Sequence, residues 1–428
     1  MKVSAAMDRP VDIAIIGAGA AGLMTAIWAG RTAQARQASI QILLLDTREK
    51  IGAKILMSGG TRCNVTNQKV KPSDFQGGPS HFVKHILEAF TPQKTIRFFK
   101  EIGVELILEP SGKYFPATHS AQTVLDVLMK EAKRVGITLE RGVRITEITK
   151  AEGLFHLKSA DGAYQISARK VVLTTGGLSY PTTGSDGTGY EIAKSFGHMV
   201  VNTFPALTPL LTNDNDWKNL SGVSLEAKLS FFKNGKKECD YYGSFLFTHF
   251  GFSGPAALDI SRHFASAAQN ENVQIIASFL PHFTEKSLKI AFGAGQKKNP
   301  GKLAKTFLAE EFSLPERFAK TFVRKIGVSE TDSIGKCSGE NCKKLIRLLL
   351  NYPLEITGVF GYKKAEVTAG GVDLKEVKVQ TMESKLADGL FFAGEILDVD
   401  GRIGGFNFQW AWSTGAAAGR SAAWSLTS

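Results

Sequence analysis

Three glycine-rich turns, widely separated in a chain of 428 residues, are the places where backbone could approach a ligand closely. The first is Gly17-Ala18-Gly19-Ala20-Ala21-Gly22, set between the apolar run of residues 11–16 and an alanine-rich run from Leu23. In such a turn Gly17 permits the tight bend, Gly19 lets backbone reach a pyrophosphate, and Gly22 lets the following helix lie close to the strand. A helix opening at Ala20 and Ala21 would aim unpaired N–H groups and a partial positive charge at the phosphates. Asp46 ends the next apolar run, where a carboxylate accepts hydrogen bonds from a ribose, though it lies 24 residues past Gly22, slightly beyond the usual spacing. The plain alternative is a glycine cluster that serves helix packing alone.

The second turn follows Val171-Val172-Leu173-Thr174 as Thr175-Gly176-Gly177, and the third follows Leu390-Phe391-Phe392-Ala393 as Gly394-Glu395. An extended cofactor touched by three remote segments fits FAD better than a briefly bound NAD. Between the first two turns, residues 52–67 carry Lys54, Ser58, Arg62 and Asn64 as donors among Gly52, Gly59 and Gly60. Such a loop suits phosphate oxygens and an isoalloxazine, or it is a basic surface turn. Cys63 is a candidate proton donor, since a thiol with a pKa of about 8.5 is a usable acid at neutral pH. Packing near the cofactor is the commoner role for such a residue. Tyr180 and His249 are the other candidate donors, against the ordinary outcome of a satisfied structural side chain.

The elements that must position these residues follow from the apolar pattern. Residues 11–46 read as a βαβ unit with parallel strands. A helix over 121–135, strand alternation near 143–148 and 155–157, and an apolar strand at 170–175 continue the same domain. From about 200 the chain changes to short strands and turns, with Asn234-Gly235 as a turn dipeptide. Residues 283–350 read as helical and hold 14 Lys+Arg against 7 Asp+Glu, much of the chain's net charge of +12. Glycine is abundant, 43 residues or about 10% against a usual ~7%. Apolar and charged fractions of 43% and 21% exclude a disordered chain. Four cysteines are too few for a disulfide framework, and Cys337 and Cys342 have no second pair to complete a zinc site, so no metal is expected. No stretch reaches ~18 apolar residues, and the first residues run into a strand without an h-region. The expected compartment is the cytoplasm, with no membrane partner.

Longer segments make the sequence recognisable: GAKILMSGGTRCNVTN (52–67), TTGGLSYPTTGSDGTGYEIAKSFGH (174–198), FLFTHFGFSGPAALDIS (245–261), AEVTAGGVDLKEV (365–377) and GLFFAGEILDVDGRIGGFNFQWAWSTG (389–415). Over nearly its whole length the chain resembles the flavoproteins of the HI0933-like (YhiN/BaiN) family, FAD- or NAD(P)-dependent oxidoreductases. The resemblance implies an α/β fold, a glutathione-reductase-type FAD-binding Rossmann domain interrupted by an inserted β-barrel-like plus helical module. The expected divisions are 1–198 and 356–428 for the FAD domain, 199–282 for the β-rich insert and 283–355 for the basic helical insert. It further implies that Gly17, Gly19, Gly22 and Asp46 hold the adenosine and pyrophosphate and that Val143 contacts adenine through backbone. Thr175 and Gly176 match the second turn, and Gly394 and Glu395 stand where relatives place Gly-Asp on the ribityl chain. Gly404, Gly405, Phe406 and Asn407 open a last helix facing the flavin N1–C2=O edge.

No second strand–GxGxxG–helix follows residue 60, so a nicotinamide donor, if used, docks at the flavin face from the substrate side. The expected chemistry is hydride transfer through flavin N5 with NAD(P)H as donor. Among the substrates that the family's names suggest, uridine in ribosomal RNA, reduced to dihydrouridine, makes use of the charge, with Arg317, Lys320, Arg324 and Lys325 as phosphate contacts. Reduction of a small enone, steroid-like compound or amine is the alternative. A non-enzymatic flavin-holding RNA-binding or redox-sensing module is a third reading. Oligomeric state is not legible in the sequence.

Overall fold

A computed structural model describes residues 9–267 and 271–427. The first eight residues, read above for the absence of a leader, lie outside the described residues. The chain divides into two compact units, one made of the segments up to Thr203 and from Val367 onward, the other Phe204–Glu366.

The first unit is built on β1 (Val11–Ile16), β2 (Ile42–Asp46), β3 (Thr138–Arg141), β4 (Ile145–Ala151), β5 (Leu154–Ser159), β6 (Gln165–Leu173) and β7 (Leu390–Phe392). Five of these run parallel in the order β3-β2-β1-β6-β7. The first half of β6 instead pairs antiparallel with β5, which pairs with β4. β1 and β2 are almost wholly apolar and buried, the pattern of central strands in a parallel sheet covered on both faces. Register matters for function. Ile16 lies opposite Leu173, and Leu173 lies opposite Phe392, so β1, β6 and β7 end together. Their carboxyl ends therefore release the three glycine turns side by side, where open α/β sheets bind ligands.

Two helices hold these turns from behind: α1 (Ala20–Ala35) and α2 (Phe406–Trp424). They pack backbone to backbone. A Cβ added at Gly415 would sit 2.7 Å from the Ala21 carbonyl oxygen, and one at Gly419 would sit 2.2 Å from that of Thr25. Small residues at these positions are what allow the approach.

The second unit carries an antiparallel seven-stranded sheet. Its order leaves two different edge strands, Tyr352–Leu354 and Gly358–Val359, so the sheet is open and the barrel-like shape expected from sequence does not form. Strands Ser224–Lys233 and Lys236–Thr248 join through Asn234-Gly235, both with positive φ (52° and 78°), the two-residue turn that matches strand twist. Trp217 and Phe247 pack with Phe318 of helix Glu316–Lys325, so sheet and helices share one core. No helix among the described residues is long and apolar enough to cross a membrane.

One half-buried imidazole makes this unit acid-sensitive. The Tyr241 hydroxyl lies 2.9 Å from His263 Nε2, and burial, then the neighbouring Arg262 charge, push the imidazole from 6.5 down to about 4. The folded form refuses a proton that the unfolded chain accepts, so stability is full above 6.5 and falls as pH drops toward 4. Allowing for partial solvent access, the loss is about 2 kcal/mol. Melting temperatures measured between neutral pH and pH ~4.5 should fall less steeply for His263→Gln. An identical slope would remove His263 from this role.

Candidate functional site

The first glycine turn is fixed by contacts that only glycine and a neighbouring threonine permit. Gly17 has φ 104°, and a Cβ there would lie 2.7 Å from the Thr174 carbonyl oxygen. At Gly22 a Cβ would fall 1.8 Å from the Gly17 carbonyl oxygen and 2.8 Å from Thr174 Oγ1. Thr174 Oγ1 itself donates toward the carbonyls of Ile16 and Gly17, at 2.9 and 2.8 Å. Thr174 thus ties the first turn to the second, a role the sequence reading gave to none of its residues. A Cβ at Gly19, in contrast, would meet nothing within 4 Å, which leaves open space in front of α1.

Asp46 supports this turn directly. Its Oδ2 accepts from the Ala18 N–H at 2.6 Å and its Oδ1 from the Arg48 N–H at 2.8 Å. Burial raises its carboxyl above the ordinary value, against the pull of those two bonds. Each carboxylate oxygen keeps a further lone pair for a ribose hydroxyl. The Val143 N–H is already donated to the Asp46 carbonyl at 2.9 Å, so the backbone contact expected with adenine narrows to the Val143 carbonyl.

The second and third turns are joined by a polar network. Gly176 (φ 72°) and Gly394 (φ 83°) provide the bends, and a Cβ at Gly394 would sit 2.7 Å from Ala21 Cβ. Glu395 Oε1 accepts from Ser179 Oγ at 2.7 Å and the Thr368 N–H at 3.0 Å, while Oε2 takes Lys54 Nζ at 2.9 Å. Lys54 Nζ also donates to Ser179 Oγ at 2.7 Å, and Thr368 Oγ1 accepts the N–H groups of Leu178 and Ser179. Ser179 and Thr368 were missed in the sequence because a hydroxyl bridging two loops leaves no periodic signal.

Several sequence expectations change here. Lys54 is matched by Glu395, and Arg62 donates to Glu109 at 2.6 Å while its guanidinium lies over the Phe115 ring. Both cations already have an acid partner, and Glu395 Oε2, which accepts from Lys54, keeps a lone pair for a ribityl hydroxyl. Asn407 accepts the Gly401 N–H and donates to the Gly401 carbonyl, and Phe406 packs edge-on against Phe75, so both side chains brace the turn before α2. Gly404 and Gly405 (φ 126° and 91°) bring that turn against the 52–67 loop. A Cβ at Gly405 would lie 2.8 Å from Asn64 Oδ1.

Burial makes Cys63 a weaker acid than an exposed thiol. The thiol is fully buried, and burial pushes it up to about 12, against a weaker opposing bond from Ser58. A thiol raised this far stays protonated at neutral pH but gives its proton up less readily than an exposed one. It sits at φ 60° after Gly59 (φ 56°), Gly60 and Thr61, a run of left-handed backbone where Ser58 Oγ donates to the Ile55 carbonyl. Cys63→Ser is expected to keep turnover within about threefold, measured as flavin reoxidation by substrate, and a loss of a hundredfold or more would restore it as an acid. Tyr180 is half-buried on the loop after the second turn, with φ 47°. His249 belongs to the second unit, exposed on the turn before Gly251–Ser253, its ring against Phe250.

The residues present suit a dinucleotide with an electron-rich ring. Neither α1 nor α2 has a capping side chain or an acidic residue in its first turn, so both N-termini offer unclaimed N–H groups to anionic oxygens. Thr175 Oγ1 and Asn64 Oδ1 are buried polar atoms with no hydrogen-bond partner among the described residues. Such atoms are costly unless a ligand meets them. The model of the HI0933-like protein Rossmann domain matches residues 11–421.

The chain belongs to the HI0933-like family.

Its members are FAD-dependent oxidoreductases, and this HI0933-like chain is one. It is 33% identical over 413 residues to the 3-dehydro-bile acid delta(4,6)-reductase of Clostridium scindens, covering 96% of this chain and 98% of that one. It is 34% identical over 419 residues to the ribosomal RNA dihydrouridine synthase of Haemophilus influenzae, at 96% and 98% coverage. The Escherichia coli ribosomal RNA dihydrouridine synthase is 34% identical over 411 residues, at 95% and 96%.

Proposed function

We propose that this enzyme reduces a uridine of ribosomal RNA to dihydrouridine, with NAD(P)H as electron donor. Identity does not separate the named relatives, since 33% and 34% are equivalent. The observation that favours RNA is charge: a net +12, with Lys286, Lys297, Lys298, Lys305, Lys336, Lys343 and Arg347 outside every ion pair among the described residues. A small neutral substrate uses none of that charge, whereas phosphates supply much of the affinity for RNA. A ribosomal substrate also places the enzyme in the cytoplasm.

FAD, when bound, supplies a hydride from N5, delivered to uridine C6, while a protein acid gives the proton to C5. The N–H groups at the start of α1 would hold the pyrophosphate, and those at the start of α2 would stabilise negative charge on the reduced flavin. Asp46 and the Val143 carbonyl hold the adenosine end. The Lys54–Glu395–Ser179 network keeps the second and third turns in register around the cofactor. Tyr180 is the proposed acid. The bile-acid relative gives the second reading weight, because an enone and the uridine C6=C5–C4=O unit accept hydride in the same way.

The test is to delete the gene and measure dihydrouridine in total ribosomal RNA by mass spectrometry. Loss of one dihydrouridine, restored by the wild-type gene and not by Tyr180→Phe, is the expected result. An unchanged count removes RNA as the substrate and leaves the small-molecule reading.

A further inference from the structure

We infer that a lysine cluster made of Lys297, Lys298, Lys336 and Lys343 is the surface of this protein that grips the phosphodiester backbone of RNA. The inference rests on the ribosomal RNA reading and names the surface by which that substrate is held.

The cations singled out in the sequence are already spent. Arg317 donates to the carbonyls of Asn219 and Ser221, and Lys320 pairs with Glu330 at 3.1 Å. Arg324 pairs with Asp216 at 2.7 Å, and Lys325 pairs with Asp214 and lies over the Trp217 ring. Arg317, Arg324 and Lys325 fasten helix Glu316–Lys325 to the segment 214–221, and Lys320 ties it to the loop that follows. A cation paired with an acid releases fewer counterions on RNA binding, and Arg317, which has no acid partner, has its guanidinium turned onto backbone carbonyls.

The lysines left over converge from three segments. Lys297 and Lys298 end helix Glu285–Lys298, Lys336 ends the short turn Ile334–Lys336, and Lys343 stands on helix Gly339–Leu350. Direct contacts bring these segments together. Gln296 Nε2 donates to the carbonyls of Ile334 and Cys337 and to Cys342 Sγ. The Gly335 N–H donates to the Pro300 carbonyl at 3.0 Å and that of Ile334 to the Lys302 carbonyl at 2.7 Å. Each of the four lysines is therefore one or two residues from a contact in the same small area, and all four are exposed. The acids nearby are Glu310, which is held by Lys302, Asp332, which accepts the Ser329 N–H, and exposed Glu340.

A helix C-terminus attracts cations, which accounts for Lys297 and Lys298. It does not account for Lys336, nor for Lys343, which follows the first turn of its helix, where the dipole offers a cation nothing. Like charges gathered this way repel one another, and a row of phosphates relieves the repulsion.

The test uses the FAD-loaded protein and a fluorescein-labelled RNA stem–loop with a uridine loop, read by anisotropy across a salt series. Lys297→Glu, Lys336→Glu and Lys343→Glu together are expected to weaken binding by tenfold or more at low salt. They should also flatten the dependence of log K on log salt by about two to three units. The triple Lys→Gln version should show the same trend, and flavin absorbance and melting temperature should stay at wild-type values. Wild-type affinity and slope in both triple variants would overturn the inference, even if dihydrouridine is still made by the enzyme. Preference for poly-glutamate over the RNA would overturn it in favour of an acidic protein partner. RNA binding that needs these lysines, in a cell whose dihydrouridine count ignores the gene, would support the surface while removing the uridine reading.

Discussion

Gly22→Val is expected to yield a colourless protein. A Cβ alone would stand 1.8 Å from the Gly17 carbonyl oxygen and 2.8 Å from Thr174 Oγ1, and the oxygen is backbone that has no rotamer to escape into. Relief requires α1 to lift away from the turn, which carries its N–H groups off the pyrophosphate position. The same turn is held by Thr174 to Ile16 and by Asp46 to Ala18, so it cannot follow the helix without losing those bonds. Overpacking of this kind costs about 1–3 kcal/mol where side chains can adjust, and more where both partners are main chain. The readout is the flavin absorbance of purified protein and its FAD titration. Wild-type flavin content in a folded Gly22→Val protein would remove the first turn from the cofactor site.

Lys54→Met is the second substitution with a large expected effect. It leaves the Glu395 carboxylate with Ser179 and the Thr368 N–H but no counter-charge. The Lys54 and Glu395 side chains are only 26% and 20% exposed, so water compensates poorly. Loss of a charged hydrogen bond in that setting costs about 1.5–3 kcal/mol. Because the network links the 52–67 loop to both later turns, the cost should appear in cofactor binding as well as in melting temperature. FAD affinity is expected to drop about tenfold or more, the equivalent of ~1.4 kcal/mol. Glu395→Gln should lose less, since an amide still accepts from one neighbour. A Lys54→Met protein with FAD affinity within twofold of wild type would mean that the turns hold their register without this network.

What was legible in the sequence was what backbone sterics dictate. The turns at Gly17, Gly176 and Gly394 all have positive φ, a conformation that leaves little choice of residue, so they stood out as glycines after apolar runs. The side-chain partners did not stand out. Lys54, Arg62, Arg324 and Lys325 looked like free cations because a sequence displays charge without displaying the Glu395, Glu109, Asp216 and Asp214 that neutralise it. Cys63 looked reactive beside glycines, but its chemistry depends on burial, which no local pattern encodes. Thr174 was closest to being found, adjacent as it is to Thr175. Strand alternation in the insertion was visible, whereas whether its edge strands meet depends on pairings far apart in the chain, and they do not meet.

The interruption of the first unit by Phe204–Glu366 also sets an order of assembly. β7 and α2 complete the central layer and its backing, yet the ribosome makes them after the whole insertion. During synthesis the nascent nucleotide-binding half waits with β6 lacking its β7 neighbour and α1 lacking its covering helix. The insertion, continuous in the chain, has no such delay and is free to fold first. Coenzyme capture is therefore a late event in biogenesis, and a nascent chain arrested before Leu390 would expose the apolar edge of β6 that β7 covers in the finished enzyme.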